Sequence, residues 1–205
     1  MTHLNRTALI AALAAGAAAA LPQAARAQLP GYNPFSYGLT GGLAVPTGQL
    51  SNGLNSGFSV GGFVDLHPAP GPLSFRIEGG YDRFATKDSY TYATVDGVDY
   101  GLAGNTHFIR GNVNAVLRLP TSGGFRPYVT GGVGIYGIGG GYTYTDAYGT
   151  VSTSDRTLTK FGVNGGLGVE YPLTGITVFL EARAHGVQTD ATPVTYIPIS
   201  VGIRF

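Results

Sequence analysis

Along most of this chain apolar residues recur at every second position, giving each extended segment one greasy face and one polar face. The segment LSFRIEGGYD shows the pattern plainly. Leu73, Phe75, Ile77, Gly79 and Tyr81 share a face, and Ser74, Arg76, Glu78, Gly80 and Asp82 share the other. Eight such segments follow one another: SYGLTGGLAV, GFSVGGFVDL, LSFRIEGGYD, HFIRGNVNAVLRL, PYVTGGVGIYGIGGGYTY, KFGVNGGLGVEY, ITVFLEARAH and the closing TYIPISVGIRF. The fifth is ambiguous, since either Val129, Val133 and Ile135 or Tyr128 and Tyr136 can supply its outward face, with Gly filling the gaps.

The connections between these segments alternate in length. HPAPGP, PTSGGFRP and PLTG are short and rich in Pro and Gly, the residues of tight turns. The others are PTGQLSNGLNS, a stretch of some twenty residues after Phe84, a Tyr/Thr/Ser/Asp stretch near residues 145–157, and VQTDATP. Strict alternation of short and long connections is the layout of an up-and-down barrel in an outer membrane, with short periplasmic turns and longer outside loops. The two middle outside connections are too long for simple hairpins, and their alternating Tyr and Thr predict strands that continue past the membrane.

Composition narrows the class. Charged residues make up only 11% of the chain, well under the roughly 25% of ordinary soluble domains. The 34 glycines are about twice the usual share. There is no Cys, which excludes a disulfide framework and thiolate chemistry. The opening MTHLNRTALIAALAAGAAAALPQAARAQ has a basic start, an Ala/Leu run too short to span a bilayer, and a small-x-small site before Gln28, the layout of a secretory signal peptide cleaved between Ala27 and Gln28. Losing Arg6 and Arg26 with this leader turns the formal charge from +1 to −1, and no basic patch remains for nucleic acid. The expected organisation is a signal peptide over 1–27, a short periplasmic lead-in over 28–35 and a barrel over 36–205.

A soluble sandwich and a membrane barrel both alternate, so the polar faces must discriminate. One face collects Asp65, Arg76, Glu78, Asp82, Arg110, Arg118, Lys160, Glu170, Glu181, Arg183, His185 and Arg204 among Gly, Asn and Ser. Charges of both signs beside very small residues suit a narrow lumen filled by side chains. Arg76, Glu78, Asp82, Arg110, Arg118, Lys160, Glu170, Glu181, Arg183 and Arg204 are therefore expected to form an interior polar network. A one-residue slip of the seventh strand would turn Arg183 to lipid, at a cost of about 2–4 kcal/mol near the bilayer midplane. On the opposite face Tyr37, Phe75, Tyr171 and Phe205 fall at the periplasmic strand ends and Phe58, Tyr81 and Phe161 at the outer ends. Two aromatic belts are expected where a barrel crosses the two membrane interfaces. The fold expected is all-β, an eight-stranded antiparallel up-and-down transmembrane β-barrel.

The chain ends inside a strand on Phe205, preceded at every second position by Ile203, Val201 and Ile199. This ending resembles the C-terminal signal of bacterial outer-membrane barrels. With phrases such as RIEGGY, RPYVTGGVGIY and LEARAHG, the mature chain resembles the small eight-stranded OmpA/OmpX-like barrel superfamily. The resemblance implies an outer-membrane location, contact with outer-membrane lipid and lipopolysaccharide, and recognition of Ile199, Val201, Ile203 and Phe205 by the barrel-assembly machinery. OmpA-type chains continue into a periplasmic peptidoglycan-binding domain, and this sequence stops at Phe205, so no such domain is expected.

Chemistry-bearing motifs are few. Gly132, Gly134 and Gly137 match G-x-G-x-x-G, but strand and loop follow instead of the helix a dinucleotide site needs. His185 and Glu181 share a strand face roughly 13 Å apart, too far for a dyad. His67, His107 and His185 show no ligand spacing, and Asp96 and Asp99 read as a solvated loop. No catalytic residue, metal site or cofactor is expected. Tyr90, Tyr92, Tyr100, Tyr142, Tyr144 and Tyr148 in the long outside connections offer a contact surface for an extracellular ligand. These readings point to a non-enzymatic barrel serving envelope integrity or surface interaction. A small channel for small or apolar solutes stands second, and a lipid-modifying enzyme third.

Overall fold

The structure is a computed structural model, and it describes residues 33–87, 91–95, 98–146, 149–154, 158–189 and 193–205. The expected leader and cleavage site, Tyr90, Asp96 and Tyr148 lie outside the described residues. Ten strands run in chain order: β1 Phe35–Thr47, β2 Gly57–Leu66, β3 Leu73–Ala85, β4 Thr91–Val95, β5 Val98–Arg118, β6 Arg126–Asp146, β7 Gly149–Ser154, β8 Leu158–Pro172, β9 Thr177–Val187 and β10 Val194–Arg204. One helical turn, α1 (Leu50–Gly53), lies between β1 and β2.

Every pairing is antiparallel, and eight strands close into a ring, β1-β2-β3-β5-β6-β8-β9-β10 and back to β1. The seam between β1 and β10 runs without a break from Gly38 opposite Arg204 to Thr47 opposite Thr195. It ends on reciprocal backbone bonds between Tyr37 and Phe205, whose rings stack at 5.6 Å. β4 and β7 stand outside the ring. They pair with the far ends of β5 and β6, which themselves stay paired as far as Gly101 opposite Thr145. The strands expected to outrun the membrane therefore form a four-stranded extension of the wall, in the order β4-β5-β6-β7.

The short turns after β2, β5 and β8 share one end of the barrel with the start of β1 and the end of β10, and the long connections share the other. The tightest turn, between β8 and β9, closes with a bond from the Leu173 N–H to the Ile176 carbonyl and holds Gly175 at φ +84°. That left-handed conformation is open to glycine without steric cost.

The burial pattern is inside-out. Leu39, Val133, Phe161, Leu167 and Val201 are all 60–73% exposed on the outer wall, whereas Asp65, Arg76, Asp82 and Glu170 are 0–2% exposed in the lumen. A water-soluble sandwich would bury the first set and hydrate the second. The ambiguity of the fifth segment is resolved as well: Val129, Val133 and Ile135 face outward, and Tyr128 and Tyr136 are buried. Register decides this, because β6 pairs Val133 with outward Val113 and Tyr136 with inward Arg110.

Lumen geometry accounts for much of the glycine. Large inward side chains lie flat on glycines of the neighbouring strand: Phe63 on Gly38, Phe179 on Gly202, Tyr128 on Gly168 and Arg110 on Gly80. A methyl group on Gly162 would sit 2.7 Å from the Tyr136 ring. Outward glycines such as Gly41, Gly79 and Gly111 meet nothing within 4 Å. Gly202→Val is therefore expected to lower stability by about 1–3 kcal/mol through overpacking, and Gly41→Val to lower it far less. Urea titration in detergent, scored by the folded band on a gel, measures both.

Candidate functional site: the filled lumen

The lumen is where this fold gathers its chemistry, because alternation sends every second residue of eight strands into it. Among the described residues five guanidinium groups meet five carboxylates there. At the short-turn end, Glu170 accepts from Arg118 (3.1 Å) and Arg204 (2.8 Å), and Asp65 accepts from Arg118 (3.3 Å) and Arg76 (2.7 Å). Arg76 also reaches Glu181 at 3.4 Å. The ladder then runs from Glu181 to Arg183 (2.5 Å), from Arg183 to Glu78 (2.7 Å) and from Glu78 to Arg110 (3.3 Å), ending on an Arg110–Asp82 pair. Acid and base alternate along the whole path, so each charge between its two ends is held between opposite ones.

Two aromatic clusters clamp the ladder. Near the short-turn end Phe63, Phe179, Tyr128 and Val116 pack together. The Arg76 guanidinium lies over the Phe63 ring at 4.0 Å, a cation–π contact in a dry setting. Tyr128 donates its hydroxyl hydrogen to Glu181 at 2.9 Å. At the opposite end Phe84, Phe108, Tyr136, Tyr196, Ala44, Val187 and Leu54 form a second cluster. Tyr196 donates to Asp82 at 2.9 Å. His185 stacks on Tyr196 at 5.0 Å and shares a 2.8 Å hydrogen bond with the Tyr136 hydroxyl through Nδ1.

The loop between β1 and β2 covers this upper cluster. α1 carries Leu50 against the cluster, and the following Leu54 is buried in it and bridges to Thr86. The Asn55 N–H binds the Ala85 carbonyl, and Lys87 reaches the Gly53 carbonyl through its backbone N–H and the Ser51 carbonyl through Nζ. By length and composition PTGQLSNGLNS passes for a plain loop. The Leu50/Leu54 spacing of one helical turn is the signal that marks it as a cover.

Of the residues expected in an interior polar network, Arg76, Glu78, Asp82, Arg110, Glu170, Glu181 and Arg183 are buried in the ladder, and Arg118 and Arg204 stand at its partly open end. Lys160 is half-buried at the outer end of β8, opposite Tyr136. The tyrosines Tyr128, Tyr136 and Tyr196 complete the network and are not in that expected set. Outside, Tyr37, Phe75, Tyr171 and Phe205 sit exposed at the short-turn end and Phe58 and Phe161 at the other, with Tyr81 half-buried beside Phe58. Phe125 joins the first group by packing on Tyr171 at 5.0 Å. Ile199, Val201 and Ile203 are exposed along the outer face of β10.

A closed antiparallel ring with an apolar outside and a charged, filled inside is a transmembrane β-barrel, since a barrel alone lets strands cross lipid with every backbone group paired. Residues 8–205 match the outer membrane protein beta-barrel domain family, and the chain belongs to that family. The protein is accordingly an outer-membrane β-barrel protein. No curated protein matches the chain. Among solved structures it is similar to Neisserial surface protein A (16% identity, TM-score 0.49, covering 84% of this chain and 96% of that one). It is also similar to the attachment invasion locus protein Ail of Yersinia pestis, in complex with sucrose octasulfate (14% identity, TM-score 0.47, covering 84% and 100%). A major outer membrane protein from Thermus thermophilus is similar too (13% identity, TM-score 0.49, covering 84% and 99%).

Removing one member of a buried ion pair leaves an uncompensated charge, which is strongly destabilising. Glu78→Gln takes a shared partner from both Arg110 and Arg183 and is expected to cost about 3–5 kcal/mol. Val163→Ala, on the outer wall, loses only lipid contact and is expected to cost about 1 kcal/mol. Equilibrium unfolding of the two variants in the same detergent compares them directly.

Proposed function

We propose that this chain is a non-enzymatic outer-membrane barrel with a role in envelope integrity or surface interaction, and that its lumen does not pass ions. The observation that carries the reading is the unbroken acid–base ladder clamped between two aromatic clusters. An ion entering such a lumen would have to displace side chains already neutralised by one another, in a site where unpaired charge is costly. The structure of the outside connections supports a role at the surface, because β4 to β7 carry the wall beyond the ring. Tyr92, Tyr100, Tyr142 and Tyr144 all fall on those strands.

Support for a non-catalytic reading comes from His185. It is 2% exposed, engaged by Tyr136 and covered by Tyr196, so no substrate atom reaches its ring for proton transfer. A small uptake path is the second reading, and one feature favours it. On β5 and β6, Asn112, Asn114 and Thr130 are buried with side-chain atoms that have no protein partner. Buried polar atoms ordinarily find one, and an uncharged polar patch suits a neutral solute better than an ion.

Planar-bilayer recording with the refolded protein tests for ion passage, and swelling of proteoliposomes in a neutral solute tests the uptake path, which predicts swelling where the proposed function predicts none. Under the proposed function the membrane stays free of discrete current steps at voltages where open porins conduct. Regular unitary steps would contradict it and favour the channel reading.

A further inference from the structure

The outer wall carries almost no charge, and the exception is local. Among the ring-strand residues whose side chains the structure describes, the outward positions hold aliphatic residues, glycines, aromatics, a proline and a few neutral polar residues. None of them is acidic. Only Arg83 and His107 can carry positive charge, and they are direct register partners on β3 and β5. Both lie at the long-connection end, two positions beyond Tyr81 and Ile109 respectively.

Their surroundings form one continuous strip. Phe58 on β2 is the register partner of Arg83. Phe58 meets Tyr81 at 6.0 Å, and Tyr81 stacks on the His107 imidazole at 5.8 Å with an interplanar angle of 25°. On the far side the imidazole lies over Gly139, where a methyl group would stand 2.6 Å from Nε2. His107 is thus held flat against the wall between Tyr81 and Gly139. Arg83 is exposed beside it, with no carboxylate partner among the described residues.

We propose that Phe58, Tyr81, Arg83 and His107 form a docking surface for a phosphate-bearing glycolipid of the outer leaflet, the lipid A portion of lipopolysaccharide. The inference rests on the outer-membrane reading, which sets the long-connection end outside. Charge complementarity and height carry it. A guanidinium binds a phosphate through two parallel N–H bonds, and such charge-assisted bonds are strong. The site sits at the outer aromatic belt, where the headgroup of an outer-leaflet lipid meets water. Below it, outward Val60 and Ile109 (47% and 38% exposed) continue as an apolar wall for acyl chains. At the opposite end the outward face has Tyr37, Phe75, Tyr171 and Phe205 but no cation, so the wall distinguishes the two leaflets.

The test is native mass spectrometry of the refolded chain in detergent, with three lipids offered at equal concentration: bisphosphorylated lipid A, the same lipid without its phosphates, and phosphatidylglycerol. Wild type is expected to hold the bisphosphorylated form roughly tenfold better than the dephosphorylated one. The double variant Arg83→Gln/His107→Gln should lose that preference, and Arg83→Lys should keep part of it. Equal retention of both lipid A forms by wild type would overturn the proposal without any variant, so a misfolded double variant does not spare it. Phosphatidylglycerol held as tightly as lipid A, and lost in the same double variant, would overturn the assignment to a glycolipid. A wild-type chain that needs no detergent to stay in solution would instead overturn the membrane reading beneath it.

Discussion

A guanidinium or carboxylate enclosed by a barrel wall must be neutralised where it stands, and the rest of this structure follows from that requirement. Ions moved from water into a protein interior lose several kcal/mol each unless a partner and hydrogen bonds compensate. Here five of each sign alternate along one path, from Glu170 and Asp65 at the short-turn end to Asp82 near the aromatic cover. A ladder of this kind adds little net stability over an apolar filling. What it does supply is orientation. Each strand that contributes a charge can present only one of its two faces to the lumen, because a one-residue slip would set that charge against lipid.

Glycine makes the ladder possible. An eight-stranded barrel encloses room for little beyond its own side chains. Arginine, tyrosine and phenylalanine fit because the strand beside each offers a bare backbone: Gly80 under Arg110, Gly202 under Phe179, Gly168 under Tyr128. The same choice leaves some buried amides, Asn112 and Asn114 among them, without protein partners. These amides form an uncharged patch between Arg110 and Arg118, which with Glu170 carry the ladder on the same strands. Closure at the top is a separate device, in which Leu50 and Leu54 are folded back by one helical turn onto Phe84 and its neighbours.

Much of this was legible in the sequence, for a physical reason. A period of two reports the two faces of a strand directly, so the strands, the outward Leu39-to-Val201 wall and the inward charges could be read from alternation alone. Connection lengths reported which end was which. The pairing within the lumen was not legible, since Arg183 and Glu78 lie 105 residues apart and alternation says nothing of which strand faces which across a ring. The parity of the fifth segment failed for a different reason: with valine on one face, tyrosine on the other and glycine on both, either face could pass as the apolar one. Register with β5 settles it by setting Tyr136 beside Arg110. Arg83 and His107 were visible as residues, but their isolation on the outer wall emerges only when all outward positions are compared.

The central claim is that the apolar face points outward around a closed, side-chain-filled ring. Electrophoresis of the chain refolded from Gln28 onward, in SDS with and without boiling, tests it most directly. A closed barrel resists the detergent, so the unboiled sample should run ahead of the boiled one and shift to the full apparent mass on heating. Identical migration of the two samples, from a chain that stays soluble without detergent, would make the exposed apolar wall the core of a sandwich and contradict the account.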